Sequence, residues 1–512
     1  VRVVDNRGLL LRVRNPEKII AAIPNSKKLN SNDVLVKWGI DESRVLQNLN
    51  INAPSPITGQ YDWPGRYTPF EHQKDTASFL TLNPRAFCFN EQGTGKTASA
   101  IWASDFLLNR GIINRVLIVC PISIMDSAWR TDLFNFAMHR TVDIAHGSRK
   151  KRQDIINNGS EYVIINYDGV EIVKDEIANG GFDLIIVDEA THYKNSQSKR
   201  WKILASLVKP ETWLWMMTGT PAAQSPVDAY GLAKLVNPKS VPRFFGAFRD
   251  SVMYKVTQFK WVPKPHAKDI VFNALQPAIR FTKEECLDLP EMTYVKRQVE
   301  LTAQQKKYYK HLKEQLVAVA AGEQITVANA AVGMNKLLQL SCGAVYTDSG
   351  ETVEFDIKNR YRVLQEVIAE SSQKVLIFVP FKHVIDVLSD KLSTDGITNA
   401  VIRGDVSAAK RTEIFSRFQN QEDPRVLIIQ PQAAAHGVTL TAANTIVWWG
   451  PTSSLETYAQ ANARVHRSGQ KHPCTVVRLE GSNVEQHIYK MLDQRINVHT
   501  QMIDLYKNIL DL

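Results

Sequence analysis

Cysteine is scarce and scattered. Cys88, Cys120, Cys286, Cys342 and Cys474 are the five in 512 residues, an odd number with no C-x-x-C pair. That spacing excludes a disulfide framework and offers no ligand set for structural zinc. Long apolar runs are missing too. Stretches such as Val116–Cys120, Leu184–Val187 and Val375–Val379 last only a handful of residues, against the roughly 18–20 that a membrane span needs, so no span is expected. No secretory leader is expected from the opening residues, which start at Val1 rather than Met, as in a chain whose true N-terminus is missing or trimmed. A reduced setting is expected, cytoplasmic or nucleoid-associated, or nuclear in a eukaryote. Repeats and low-complexity tracts are absent, and 44% hydrophobic residues is ordinary for globular domains, which excludes disorder and collagen-like structure. Acidic excess is also lacking: 62 Lys and Arg against 52 Asp and Glu leave a net charge of +10. A basic surplus suits a polyanionic partner, because cationic side chains release condensed counterions from phosphates, but as bulk composition it does not decide the matter.

What is present is a series of short, continuously hydrophobic runs that stop abruptly at polar residues, Gly or Pro. They are Val116–Cys120 before Pro121, Tyr162–Ile165 before Asn166, Leu184–Val187 before Asp188, and Leu214–Met217 before Thr218. Continuous rather than alternating hydrophobicity predicts strands buried on both faces, as in a parallel sheet covered by helices. Functional residues are then expected at the carboxyl ends of these strands. The pattern restarts with Val375–Val379, Val426–Ile429 and Ile446–Trp449, which predicts a second sheet. The stretch between the two reads as helices and loops, including Ala303–Ala321 and Val327–Leu340. Near the start, Leu9–Val13 and Val34–Trp38 read as strands of a small mixed unit, followed by the linker-like Ala53-Pro54-Ser55-Pro56.

Glu91-Gln92-Gly93-Thr94-Gly95-Lys96-Thr97 follows apolar Ala86–Phe89 and precedes the helical Ala98–Leu108. A strand, a glycine loop and a helix N-terminus present several backbone N–H groups to one anion. Lys96 adds a mobile charge for the β- and γ-phosphates, and the Thr97 hydroxyl is a magnesium ligand. The strict P-loop string has Gly at position 90, where this chain has Asn90. Asp188-Glu189 follows a buried run; an aspartate there holds Mg²⁺ and an adjacent glutamate orients and deprotonates the attacking water. Arg464 and Arg467, three apart, are expected to share a helical face. Positive charge of this kind is what phosphoryl transfer needs on the γ-phosphate.

With these elements in order, the chain resembles the Swi/Snf-type branch of the superfamily-2 helicase-like ATPases, the double-stranded DNA translocases, in a minimal version. The resemblance runs from about Tyr67 to Glu485. Gln73, in Phe70-Glu71-His72-Gln73, looks like the adenine-reading glutamine. Val116–Pro121 with Ser123 and Trp129, and Ile164–Asp168 with Asn166, are similar to motifs that approach the DNA backbone. Asp188–Thr191 runs on into Lys194-Asn195 as in the family's extended Walker B motif, with Thr191 where His is usual. Thr218-Gly219-Thr220-Pro221 matches the motif linking the ATP site to DNA. Ile279–Lys283 followed by Leu289-Pro290 looks like the interlobe linker, Arg403-Gly404-Asp405 and Gly437-Val438-Thr439 like second-lobe motifs, and Gln460-Ala461, Arg464, His466-Arg467 and Gly469-Gln470 like the final one.

The resemblance implies an α/β fold of two RecA-like lobes with parallel sheets, helical insertions and a small α+β N-terminal unit, with ATP and Mg²⁺ between the lobes. In residue numbers this gives a small unit 1–52, a linker 53–66, a first lobe 67–240, helical insertions and linker 241–356, a second lobe 357–480 and a C-terminal helical brace 481–512. ATP binding falls to Gln73, Gln92, Gly93, Thr94, Gly95, Lys96, Thr97 and Gln460, the metal to Thr97 and Asp188, and catalysis to Lys96, Asp188, Glu189, Arg464 and Arg467. Coupling falls to Thr218, Thr220 and Gly437, and contact with DNA phosphates to Ser123, Asn166, Lys194, Arg403 and Thr439. Trp63 and the Trp448-Trp449 pair are candidates for base stacking, although Trp near a strand end is more often core. The implied enzyme is a DNA-stimulated ATPase, expected to be monomeric, acting on double-stranded or forked DNA without sequence preference, with room for a protein partner. Two other activities fit the same motifs: a fork-reversing or strand-annealing motor, since 1–52 faintly resembles the recognition module of annealing helicases, and an ATP-dependent switch acting on a partner protein.

Overall fold

The computed structural model describes residues 1–219, 225–257, 261–286, 289–322, 327–346, 351–434, 438–467 and 469–494. The chain divides into two units, Val1–Cys286 and Leu287–Leu512. No described helix is long and apolar enough to cross a membrane.

The first unit is built on a seven-stranded sheet in the order Ala278–Ile279, Arg85–Cys88, Trp213–Met217, Leu184–Asp188, Val116–Cys120, Tyr162–Asn166, Val142–Ala145. Every pairing in it is parallel. The two cores flanking it explain the continuous hydrophobicity of its strands. Leu117, Val119, Val163, Ile165, Ile185 and Val187 enter one core, while Val116, Ile118, Tyr162, Ile164, Leu184 and Ile186 enter the other. Successive side chains of a strand point to opposite faces, so a run with apolar residues at every position has a helix layer to satisfy on each side.

Residues 1–52 form a four-stranded antiparallel sheet, Arg2–Val4, Gly8–Arg12, Asp33–Lys37 and Lys27–Lys28 in spatial order, with helices Pro16–Ala22 and Ile40–Asn48. Leu9, Leu11, Val34 and Val36 alternate inward to a core of their own with Ile19, Trp38 and Leu46. The strands lie one residue earlier than the hydrophobic runs suggest at both ends, because the ladder pairs Gly8 with Lys37 and Arg12 with Asp33.

The second unit carries six parallel strands in the order Met292–Gln298, Cys474–Glu480, Ala443–Trp448, Lys374–Phe378, Val426–Ile429, Asn399–Ile402. The segment read as helices and linker, 241–356, holds the expected helices Ala303–Gly322 and Val327–Cys342, and it also supplies an edge strand to each sheet. Ala278–Ile279 is too short to show a period. Met292–Gln298 is an edge strand whose residues are all exposed or half-buried, so it lacks the apolar run that marks its neighbours.

Arg360, on helix Lys358–Glu370, and Glu485, on helix Asn483–Asp493, are both buried and paired at 2.7 Å. The arginine also donates to the Trp449 carbonyl, and Glu485 Oε2 accepts from the N–H groups of Gly481 (2.7 Å) and Ser482 (3.0 Å). Helix Asn483–Asp493 is thereby pinned to the sheet end; residues 495–512 of the expected brace lie outside the described residues. Glu485→Ala would leave a buried guanidinium without its counter-charge, at a cost of about 3–5 kcal/mol. Urea unfolding followed by circular dichroism should show that loss, and Arg360→Met together with Glu485→Leu should recover much of it.

Candidate active site

The register of the first sheet sets Cys88, Met217 and Asp188 side by side. The three chains that leave this row at their carboxyl ends carry the glycine loop, Thr218 and Glu189. Thr218 is fully buried, and its N–H donates to the Cys88 carbonyl at 3.1 Å.

Gly93 and Gly95 have φ of +88° and +83°, a region that a β-carbon disfavours. A β-carbon on Gly95 would also lie 2.0 Å from Gln73 Nε2. Gly95 caps helix Lys96–Asn109, so the free N–H groups of the first helical turn open on the loop. Lys96 Nζ donates to the carbonyls of Asn90 (2.7 Å) and Glu91 (3.3 Å). Thr94 Oγ1 donates to the Glu91 carbonyl at 2.8 Å, which tightens the turn. Gln73 Nε2 donates to the Thr94 carbonyl (3.2 Å) and its Oε1 accepts from Phe70 N–H (3.0 Å), so the expected adenine reader stands directly against the loop. Thr97 is half-buried in the first helical turn.

Asp188 is buried. Its Oδ2 accepts from Trp129 Nε1 at 2.9 Å, and its Oδ1 from Glu189 N–H at 3.0 Å. Glu189 adopts a left-handed conformation, φ +50°, a cost of about 1–3 kcal/mol of the sort found at functional sites. Tyr167 Oη helps to hold this turn by donating to the Asp188 carbonyl at 2.6 Å. Gln92 Nε2 reaches Glu189 Oε1 at 3.5 Å, which joins the loop to the acid pair. Gln92 Oε1 is buried without a hydrogen-bond partner. A positive-φ cradle, an ammonium, an orphaned buried amide oxygen and a desolvated carboxylate together fit a nucleotide triphosphate with a hard, oxygen-ligated cation.

Burial pushes the Asp188 carboxyl above its ordinary range, partly offset by Lys96 and by the Trp129 hydrogen bond. The folded state therefore holds the Asp188 proton to higher pH than the unfolded chain does. As pH rises from the unfolded pKa of about 3.9, this residue's contribution falls until Asp188 ionises in the fold, and is constant above. Asp188→Asn removes that slope. Relative to the parent it should gain stability as pH rises above the unfolded pKa of about 3.9, and lose that gain below it, while turnover is lost. Thermal unfolding of both proteins across pH 4–8 checks this.

In the second unit Gln460 lies in the last turn of helix Leu455–Asn462 and donates to Glu456 at 3.1 Å. Arg464 and Arg467 do not share a helical face as expected; they sit in the turn after that helix. There the Arg464 carbonyl accepts from Leu440 N–H at 2.9 Å, and Asn462 Oδ1 from Trp448 Nε1 at 3.0 Å, which tie this turn to its own unit. Arg464 is buried, and the half-buried Arg467 donates to the Val438 carbonyl at 3.3 Å.

The expected DNA contacts fall into three settings. Ser123 is half-buried in the turn after Cys120, and Thr439 is exposed. Lys194 pairs with Asp228 at 3.3 Å, and Arg403 with Asp386 and with Asp405. Asn166 is buried and its Oδ1 accepts from Arg152 at 3.0 Å, a placement suited to holding the strand end. Thr220 and Gly437 lie outside the described residues. Trp448 and Trp449 are 0% exposed, and Trp63 packs edge-on against Trp102. The Trp448-Trp449 pair is core, because its strand is interior to the sheet. Trp129 and Tyr167, read from the sequence only as parts of motifs that approach DNA, instead hold the acid pair, a role the sequence hides because they are 59 and 21 residues from their partner.

Residues 72–343 match the SNF2-related domain family and residues 359–469 the helicase conserved C-terminal domain. An uncharacterized ATP-dependent helicase of Mycoplasma genitalium is 25% identical over 421 residues, spanning 79% of this chain and 39% of that protein. The chromodomain-helicase-DNA-binding protein 1-like of Danio rerio is 25% identical over 446 residues, spanning 81% of this chain and 41% of that protein. The chain thus spans about two fifths of the length of these relatives. Among solved structures, the Sulfolobus solfataricus SWI2/SNF2 ATPase core in complex with dsDNA is 19% identical, covering 88% of this chain and 98% of that chain at a TM-score of 0.42.

Proposed function

Because the chain belongs to the SNF2-related family of helicase-like, ATP-dependent enzymes, its first match alone spanning more than half of the sequence, we propose that it hydrolyses ATP to move along duplex DNA or to remodel protein–DNA complexes. The observation that carries this reading is the row of strand ends that sets the glycine loop, Thr218 and the Asp188–Glu189 pair together.

In this reading the amides of 93–97 and the Lys96 ammonium bind the phosphates, and Gln73 orients the base. Thr97 and Asp188 would hold Mg²⁺, which when bound neutralises charge on the phosphate oxygens. Glu189 positions the attacking water and takes its proton. Arg464 and Arg467 serve the same turnover by placing positive charge on the γ-phosphate, and Gln460 assists in binding. Ser123, Lys194, Arg403 and Thr439 contact phosphates, a grip without sequence information that suits a motor.

Displacement of a triplex-forming strand from intact duplex tests movement. ATP-dependent displacement is expected, and its absence from a protein that turns over ATP would reject translocation. A second reading, fork reversal or strand annealing, gains support from the separate core of 1–52 and the exposed Lys27-Lys28 edge. If that edge meets DNA, Lys27→Glu with Lys28→Glu should weaken binding to forks and lower its salt slope by up to about 1.8. Activity that needs a protein partner and ignores DNA would point instead to the switch.

A further inference from the structure

We propose that Asn90 and Glu91 form a latch tying the state of the phosphate loop to residues 281–283, where the chain leaves the first unit. They are positioning residues, and the proposal rests on reading 91–97 as the ATP loop.

Asn90 stands where the strict loop has glycine, and both ends of its side chain are used. Its Nδ2 donates to Thr76 Oγ1 at 2.8 Å, and its Oδ1 accepts from Phe281 N–H at 3.0 Å; the residue is 1% exposed. Glu91 N–H donates to the Phe281 carbonyl at 2.9 Å, and Glu91 Oε2 accepts from Lys283 N–H at 3.2 Å. The strand pairing of Ala278–Ile279 ends just before these residues. Their backbone groups are therefore satisfied by this dipeptide in place of a sheet neighbour.

The same dipeptide faces the nucleotide side. Its two carbonyls hold Lys96 Nζ, the group that must turn to phosphate when a nucleotide enters. Residues 90 and 91 thus hold Lys96 with their carbonyls and the exit segment with one side-chain oxygen each and a backbone N–H. His72 gives a parallel connection: its Nε2 contacts the Thr94 carbonyl at 2.8 Å, and its ring meets Phe281 edge-on at 5.9 Å. When Lys96 shifts to phosphate, the 90–91 peptide loses its cation, and the N–H groups of Phe281 and Lys283 feel the change. A glycine at 90 would transmit nothing through a side chain.

Hydrogen–deuterium exchange of the peptide spanning 279–286 in the full chain, with and without a non-hydrolysable ATP analogue, tests this. In the parent, exchange at Phe281 and Lys283 should change at least threefold on binding. Asn90→Leu fills similar volume without either hydrogen bond. It should exchange roughly fivefold faster without nucleotide and lose the response, while a fluorescent nucleotide binds within threefold of the parent. Asn90→Asp keeps the acceptor for Phe281 N–H and should restore the response. Glu91→Ala, a half-exposed position where folding is not at risk, should weaken it at Lys283 alone. A response unchanged in Asn90→Leu, or a parent that binds nucleotide with no change at 281–283, overturns the latch and leaves the ATP site standing. A parent that binds no nucleotide overturns both.

Discussion

Arg464→Ala should lower the ATP turnover rate by roughly 10³–10⁵, the range found when an arginine on the transferring phosphate is removed. The buried Arg464 side chain also packs in its unit, so loss of fold is the competing explanation. Arg464→Lys separates the two. It retains charge and most of the volume but not the planar fork that engages two oxygens at once, so turnover should stay low while the unfolding midpoint returns towards that of the parent. ATP affinity should fall far less than turnover in both variants, because the charge is needed most as the bond to the leaving oxygen breaks. A rate in Arg464→Lys within a few-fold of the parent would remove this residue from the chemistry.

Glu189→Gln should cost roughly 10²–10⁴ in turnover, the usual contribution of a general base, with nucleotide binding retained. The substitution is isosteric and keeps the left-handed turn, whose N–H bond to Asp188 does not involve the Glu189 side chain. Stability should therefore change by less than about 0.5 kcal/mol. Single-turnover phosphate release and a fluorescent-nucleotide titration of the same protein separate chemistry from binding. If the rate is unaffected, the water is activated elsewhere.

The strands that position this site are legible in the sequence because each feeds two cores, and only a continuous apolar run does that. Where a strand has one covered face or two residues, as at Met292–Gln298 and Ala278–Ile279, the signal disappears. The loop, its lysine and the acid pair are legible as local strings. The support around them is not, because it is made by residues distant in sequence: Trp129 and Tyr167 on Asp188, and Phe281 on Asn90. Spacing alone misleads at Arg464 and Arg467, where a three-residue interval suggests a helix but the helix ends at Asn462 and a turn follows. Asn90 reads in the sequence as a departure from the strict loop string, and in the fold both ends of its side chain are hydrogen-bonded just ahead of the loop.

The net charge of +10 is likewise apportioned by the fold. Lys96, Arg464 and Arg467 belong to the nucleotide in this account, and Arg360 is spent inside the second unit. Lys194 and Arg403 each carry a carboxylate partner, so any phosphate contact there must compete with an existing ion pair. Exposed lysines of the N-terminal sheet, Lys27 and Lys28, meet less competition, since only Lys28 is paired, with the exposed Glu17. A surface ion pair of that kind contributes about 0–1 kcal/mol.

The most direct measurement is steady-state phosphate release by the parent and by Lys96→Ala, each with and without blunt duplex DNA at one fixed salt concentration. The account predicts a parent rate that rises severalfold with duplex and a Lys96→Ala rate at background in both conditions, with the variant still folded. A parent rate indifferent to duplex, or normal turnover without the Lys96 ammonium, would contradict it.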